Sequence, residues 1–215
     1  MELTGDAAPG RDAVPMFPLG TVLFPYALLP LHVFEPRYRM MMRHVLEGDQ
    51  EFGVVLIERG SEVGGGDSRF DIGTTARVVQ AAELDDGRYA VSAVGLRRIR
   101  VQRWLDDDPY PRAEVETIAD SPAAPGGGDA RRRMIDAFER VAELARRIDA
   151  RVGDLPAFDS DPARASYEAA AVAPIGPLDA QHLLSIDDAA TRLVVLAGML
   201  DERAVDLQAR LDLDG

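Results

Sequence analysis

The 215-residue chain contains no cysteine and no lysine. Without cysteine it has no disulfide, no thiolate metal site and no cysteine nucleophile. Without lysine it cannot build a Walker-type phosphate loop, whose lysine reaches the phosphates. A Schiff base and a Ser–Lys dyad are excluded for the same reason. Positive charge is short as well: 24 arginines face 37 acids, for a formal charge of −13. Phosphate and anionic-lipid surfaces are recognised by clustered cations, so neither a nucleic acid nor a membrane is expected as a partner. The local exception to inspect is Arg97, Arg98, Arg100 and Arg103. No apolar run of about 18 residues occurs. The opening MELTGDAAPGRD carries acids, glycine and proline in place of an apolar h-region, so it is not a signal peptide. A soluble, cytoplasmic protein is expected.

What is present supports a core. Hydrophobic residues make up 47% of the chain, enough for one large or two small domains. The densest apolar stretch is Met16–Met42, broken by Pro18, Pro25, Pro30 and Pro36. Proline cannot donate to a helix or sheet ladder, so no single regular element runs through the stretch. It reads as short buried extended pieces joined by turns. A helix follows at Glu35-Pro36-Arg37, with proline suited to its first position and Tyr38, Met41, Met42 and Val45 at helical spacing.

Beyond a loose tail at Met1–Ala13, residues 14–119 read as a β-rich lobe with one helix. Phe52–Ile57 is a strand covered on both faces. Glu58–Asp71, with Gly64-Gly65-Gly66, is a loop. Asp86-Gly87 is the strongest hairpin signal, between Thr75–Leu84 and Tyr89–Val94. Gly95 breaks the strand, which resumes at Leu96–Trp104 with Ile99 and Val101 facing in and the arginines solvated. Asp106-Asp107-Asp108-Pro109 is a turn and Ala113–Ile118 a further strand. Such short strands suit a closed or nearly closed sheet. The composition shift at 120–128 marks a linker, and 129–215 reads as a helical bundle. Its first helix, capped by Asp129, runs from Ala130 to Val152 and carries Met134, Phe138, Val141, Ala145, Ile148 and Val152 on one face. Asp161-Pro162 opens a second helix, Leu178–Leu184 forms a third, and Ser185 with Asp188 resembles a capping box before a long helix to Leu211. Leu193, Ala197, Leu200, Ala204, Leu207 and Leu211 follow the 4-3 spacing of an antiparallel helix seam.

Little of this points to catalysis. His32, His44 and His182 have no second ligand at a metal spacing such as HExxH. No serine lies in a G-x-S-x-G turn. The acidic pairs fall at turns and helix starts, where aspartate caps backbone N–H groups. No catalytic residue, cofactor or metal is assigned, and a non-enzymatic binding protein is expected. The best binding candidates are Phe24, Tyr26 and Leu28. Left on a surface groove by the prolines, they would anchor an exposed hydrophobic peptide; packed inward, they are core. Glu35 and Arg37 would clasp a peptide terminus or, alternatively, lock the corner into the helix. Trp104 and Tyr110 are weaker candidates.

Pro18-Leu19-Gly20, Val22-Leu23-Phe24-Pro25, Leu29-Pro30-Leu31 and Phe34-Glu35-Pro36-Arg37-Tyr38 together resemble the N-terminal substrate-recognition domain of Lon-type proteases. Phe52-Gly53-Val54, Glu62-Val63-Gly64, Gly73-Thr74, Gly95-Leu96-Arg97-Arg98 and Leu178–Leu200 extend the resemblance over roughly Val14–Leu211. It implies an α+β fold: a PUA-like pseudo-barrel lobe with one helix, followed by a helical bundle. It also implies non-covalent binding of unfolded or degron-bearing polypeptides by a stand-alone module, an adaptor in protein quality control. Lon proteases add a P-loop ATPase and a Ser–Lys protease, neither of which a lysine-free chain can hold. A scaffold for one folded partner is the alternative, and an unrecognised hydrolase a remote one. Oligomeric state is not legible.

Overall fold

The computed structural model describes residues 13–59, 68–121, 126–149, 151 and 153–214. The expected tail, apart from Ala13, lies outside the described residues. So do the Gly64–Gly66 loop, residues 122–125 of the expected linker and Val152.

The first half forms six strands and one helix: β1 (Val14–Leu19), β2 (Leu28–Val33), α1 (Pro36–Glu47), β3 (Glu51–Arg59), β4 (Ser68–Glu83), β5 (Tyr89–Trp104) and β6 (Arg112–Thr117). The strand order is β2-β5-β4-β3-β1-β6, and a further β5–β6 pairing closes a ring of five strands with β2 attached outside it. Strand length makes this possible. The first half of β5 pairs with β2 and the second half with β6, while β4 runs beside both. Bulges at Thr75/Ala76 and Val78/Gln80 bend the long β4–β5 ribbon into the curve that closure needs. The one parallel pair among the described residues, β1 with β3, is bridged by β2 and α1. Asp86-Gly87 turns the β4–β5 hairpin as expected, with Gly87 at φ +75 and its N–H donating to the Leu84 carbonyl at 2.7 Å.

Pro36 opens α1, which buries Tyr38, Met41, Met42 and Val45 against the sheet. Phe17 stacks on Tyr38 at 4.2 Å between ring centres. Because neighbouring strand residues face opposite ways, Phe17 meets this core while Met16 joins Val55, Ile99, Val101 and Ala113 in a second one.

Four helices follow: α2 (Gly127–Ile148), α3 (Pro162–Val172), α4 (Pro177–Ser185) and α5 (Ala189–Asp214). The seam residues Leu193, Leu200 and Leu207 of α5 are buried against Met134, Phe138 and Val141 of α2. Full burial of each such leucine is worth ~1.5–3 kcal/mol. Asp161 caps α3 as expected, accepting from the Ala163 N–H at 3.2 Å. Two other caps differ. Asp129 sits inside the first turn of α2, which begins after Gly126 at φ +100. Asp188 alone caps α5, accepting from the Thr191 N–H at 2.6 Å, because Ser185 still belongs to α4 and donates back to the Gln181 carbonyl.

Two expectations about β5 are corrected. Gly95 does not break the strand, which runs unbroken through it. The missing side chain instead admits the loop before β2: a Cβ there would lie 2.2 Å from the Phe24 carbonyl oxygen. Nor are all the β5 arginines solvated, since Arg98 is 1% exposed. The architecture is α+β, a closed small sheet with one helix packed against a helical bundle.

Candidate binding seam

The loop 20–27 between β1 and β2 lies where the two halves of the chain meet. Phe24 points down from it and is 2% exposed, packed in the helical core beside Tyr167. It is a core residue and not a surface anchor, because Gly95 lets the loop sink onto β5. Two residues on, Tyr26 turns outward and is 49% exposed. Its φ of +68 is an uncommon conformation for a bulky residue and carries strain. The fold holds it there through the backbone: the Tyr26 N–H donates to the Gly95 carbonyl at 2.7 Å and the Gly95 N–H to the Ala27 carbonyl at 2.9 Å. The Arg164 guanidinium covers the Tyr26 ring at 5.0 Å, and Glu168 in turn accepts from Arg164 at 2.7 Å. That hydrogen bond holds the Arg164 guanidinium above its usual range.

Leu28 begins β2 and is 74% exposed. It stands between two clefts. One, of about 450 Å³, is walled by Leu23, Leu29, Pro30, Ala170, Ile175 and Pro177. The other, of about 360 Å³, is walled by Tyr26, Pro156, Phe158, Glu168 and Val172. Both are mainly apolar, and both run along the boundary between β2 and α3. Among the described residues β2 is an edge strand, pairing only with β5. In an antiparallel ladder the backbone groups alternate in direction. With Ala27 bonded to Gly95, the outward groups belong to Leu28, Pro30 and His32. Pro30 has no N–H to offer, which suits an edge and blunts uncontrolled strand pairing.

Glu35 and Arg37 lie beyond the far end of β2. They pair with each other at 3.2 Å, Arg37 also covers Tyr38 at 4.5 Å, and Glu35 borders a separate small hollow with Pro30, His32 and Phe34. The structure thus joins Tyr26 and Leu28 in one seam, places Phe24 beneath it and leaves the Glu35–Arg37 pair at the helix corner. Trp104 lies under the Arg69 guanidinium, and Tyr110 is buried with its hydroxyl 2.9 Å from Nδ1 of His44. Among the described residues no group of three histidines or acids is placed to hold a metal ion.

Beneath the seam lies a polar network that the sequence pattern does not announce. Arg98 donates to the carbonyls of Leu184 (3.0 Å) and Ile186 (3.1 Å) and to the Asp187 carboxylate (2.9 Å). Asp120 lies 3.2 Å from Arg98 and 3.0 Å from Arg192, which is 0% exposed, and it accepts from the Tyr167 hydroxyl. The Arg192 guanidinium covers the Tyr167 ring at 3.9 Å. Gln181 of α4 donates to the Ile72 carbonyl of β4 at 3.0 Å. The one available signal was Arg192 itself, an arginine in the apolar phase of α5 beside Leu193.

Burial pushes the Tyr167 hydroxyl well above its ordinary 10.0; the Arg192 charge opposes this and the Asp120 hydrogen bond adds to it. Its folded pKa therefore exceeds the unfolded one, so the neutral phenol's contribution to stability is complete below about pH 10 and lost as pH rises further. Thermal melts between pH 9 and 11.5 are expected to show a falling Tm, with a smaller fall in Tyr167→Phe. An equal fall in both would place the alkaline loss elsewhere.

A family model of the ATP-dependent protease La (LON) substrate-binding domain matches residues 13–202, spanning the sheet, the seam and most of the helices. The chain belongs to the Lon substrate-binding domain family. It is 29% identical to the Lon protease of Escherichia coli strain K12 over 92% of its own length and 25% of that protein's. It is 33% identical to Lon protease 2 of Sorangium cellulosum over 53% of its length and 15% of that protein's. The chain thus spans a quarter or less of these relatives. A Lon N-terminal domain protein from Xanthomonas campestris matches with 27% identity and a TM-score of 0.58, over 85% of this chain and 95% of that one. The N-terminal domain of Mycobacterium avium complex Lon protease matches with a TM-score of 0.63 over 91% and 99%. At 18% identity that second likeness speaks to the fold alone. Among the described residues no helix is long and apolar enough to cross a membrane.

Proposed function

We propose that this Lon-family domain binds unfolded or degron-bearing polypeptide segments non-covalently in the cytoplasm, as an adaptor in protein quality control. The observation that carries the reading is the seam at Tyr26 and Leu28: an exposed aromatic held in a strained conformation beside an exposed leucine, with an apolar cleft on each side. Residues held in such strained conformations cluster at binding sites. The bound segment lies extended along the β2 edge, taking hydrogen bonds from the outward groups of Leu28 and His32 and setting apolar side chains into the clefts. Recognition of this kind reads apolar content and extension, not one sequence. The chemistry is binding alone, and the matched domain is the substrate-binding part of its relatives.

The test is a titration of the whole chain with a fluorescent, permanently unfolded protein, beside Tyr26→Gly and Leu28→Ser. Glycine accepts the Tyr26 backbone conformation without strain, and Leu28 is exposed, so both variants are expected to keep the wild-type circular dichroism spectrum. Losing the ring or the leucine is expected to weaken binding about tenfold each, the effect of about 1.4 kcal/mol. Unchanged affinity in both folded variants would remove the seam as the site. Absence of binding by the wild-type chain would reject unfolded polypeptide as the ligand and leave a folded partner.

A further inference from the structure

A second groove, on the far side of α4 from the sheet, is built for a different ligand. It runs between Pro174–His182 and the outer face of α5, with a volume of about 480 Å³. Its floor is apolar: Ile175, Val195 and Met199 are half-buried and rest on the bundle core. In the middle of the floor is Gly198, inside the 26-residue helix α5. Glycine is the poorest helix former after proline, so a helix-interior glycine usually answers to a packing need. None exists among the described residues, for a Cβ at Gly198 would meet nothing within 4 Å. The bare backbone leaves room for something outside the described fold to approach closely.

The rim identifies the charge of that visitor. Asp179, Glu202 and Asp206 border the groove against Arg203 alone, with His182 beside them. Among the described residues none of the three carboxylates is committed to an ion pair, unlike Asp201 on the adjoining face of α5, which is paired with Arg140. We propose that this groove docks a basic amphipathic helix of a protein partner, its apolar face over Gly198 and its cations toward Asp179, Glu202 and Asp206. Charge complementarity fixes the sign, since an acidic segment would meet three carboxylates on a chain already at −13. A single glycine lets helices approach backbone to backbone, as small residues do wherever helices pack closely. The groove adjoins the first cleft of the seam at Ile175, but Gly198 and the charged rim lie outside that cleft, and the proposal does not depend on the seam.

The probe is a fluorescent 20-residue leucine–lysine amphipathic helix, titrated against the full chain at low and at 0.3 M salt. Saturable binding is expected, weakened at least tenfold by Gly198→Trp, which fills the floor, and by the double reversal Glu202→Arg with Asp206→Arg. The same helix with glutamate for lysine is expected not to bind. Gly198→Ala serves as the fold control: it is expected to raise Tm by a few degrees, because nothing among the described residues opposes the methyl group. Loss on charge reversal without loss in Gly198→Trp would mean diffuse attraction to an acidic surface and overturn the groove. So would equal binding of the two helices, or no binding of the basic one. Binding of the unfolded probe at the seam is expected to be unaffected by all three variants.

Discussion

Arg98→Ala is expected to destabilise the protein by about 3–5 kcal/mol, the range for breaking a buried, hydrogen-bonded charge network. Arg98 is the tie between β5 and the start of the α5 segment. Its guanidinium donates to two carbonyls and one carboxylate there and stands 3.2 Å from Asp120. Alanine takes the Arg98 donor from the Leu184 carbonyl, leaves the Ile186 carbonyl with Arg192 alone at 2.8 Å, and opens a cavity the size of an arginine stem. Arg98→Lys is expected to recover only part of the loss, because a single ammonium cannot serve a set of acceptors spread around a planar fork. Urea denaturation at pH 7 with an unchanged m-value reads the effect directly. For a chain of this length the same loss lowers Tm by roughly 6–20 °C. A loss under about 1 kcal/mol in Arg98→Ala would show that water replaces the bonds and that the lobes are held by apolar packing alone.

Gly95→Ala is expected to cost about 3 kcal/mol, at the top of the range for overpacking, although it adds only one methyl group. The added carbon would lie 2.2 Å from the Phe24 carbonyl oxygen and 3.0 Å from its carbon, atoms of a backbone tied to Gly95 itself by the Tyr26 and Ala27 hydrogen bonds. Neither side can yield without breaking that pairing. Gly53→Ala is the comparison that isolates the cause. Its Cβ is tighter on paper than an ordinary contact, meeting Met16 Sδ at 2.4 Å, but a methionine side chain can turn away. A cost of about 1 kcal/mol is expected there. Chemical denaturation of the two variants side by side checks the order. Equal costs would mean that the loop above Gly95 relaxes freely, and Tyr26 would then not be held in its strained conformation by this contact.

Most of the frame was legible from local chemistry. Four prolines in Met16–Met42 ruled out one long element, and Pro36 with Tyr38, Met41 and Met42 located the start of α1 and its buried face. Asp86-Gly87 placed the long hairpin, and the 4-3 leucine spacing placed α5 and the face it buries. These are features of spacing and backbone allowance, which a chain carries wherever it goes. The helix caps at Asp129 and Ser185 were misread because several aspartates, serines and glycines near each start could serve, and neighbouring helices decide among them.

The candidate site was legible as a stretch but not as a surface. Phe24, Tyr26 and Leu28 are consecutive alternating positions, and alternation alone would put all three on one face. The loop does not alternate: Tyr26 adopts φ +68, so Phe24 goes into the bundle while Tyr26 and Leu28 stay outside. That reversal depends on Gly95, about seventy positions along the chain. The expected solvation of Arg98 failed likewise, since an arginine declares its burial only through distant partners, here Asp120, Asp187 and the carbonyls of Leu184 and Ile186. By itself the sequence determined which lysine- and cysteine-dependent chemistries these residues do not supply, their β-then-α order and their family. The tertiary structure alone decided which apolar residues meet water and which charges do not, because exposure is settled by contacts between residues far apart in the chain, and no local pattern contains them.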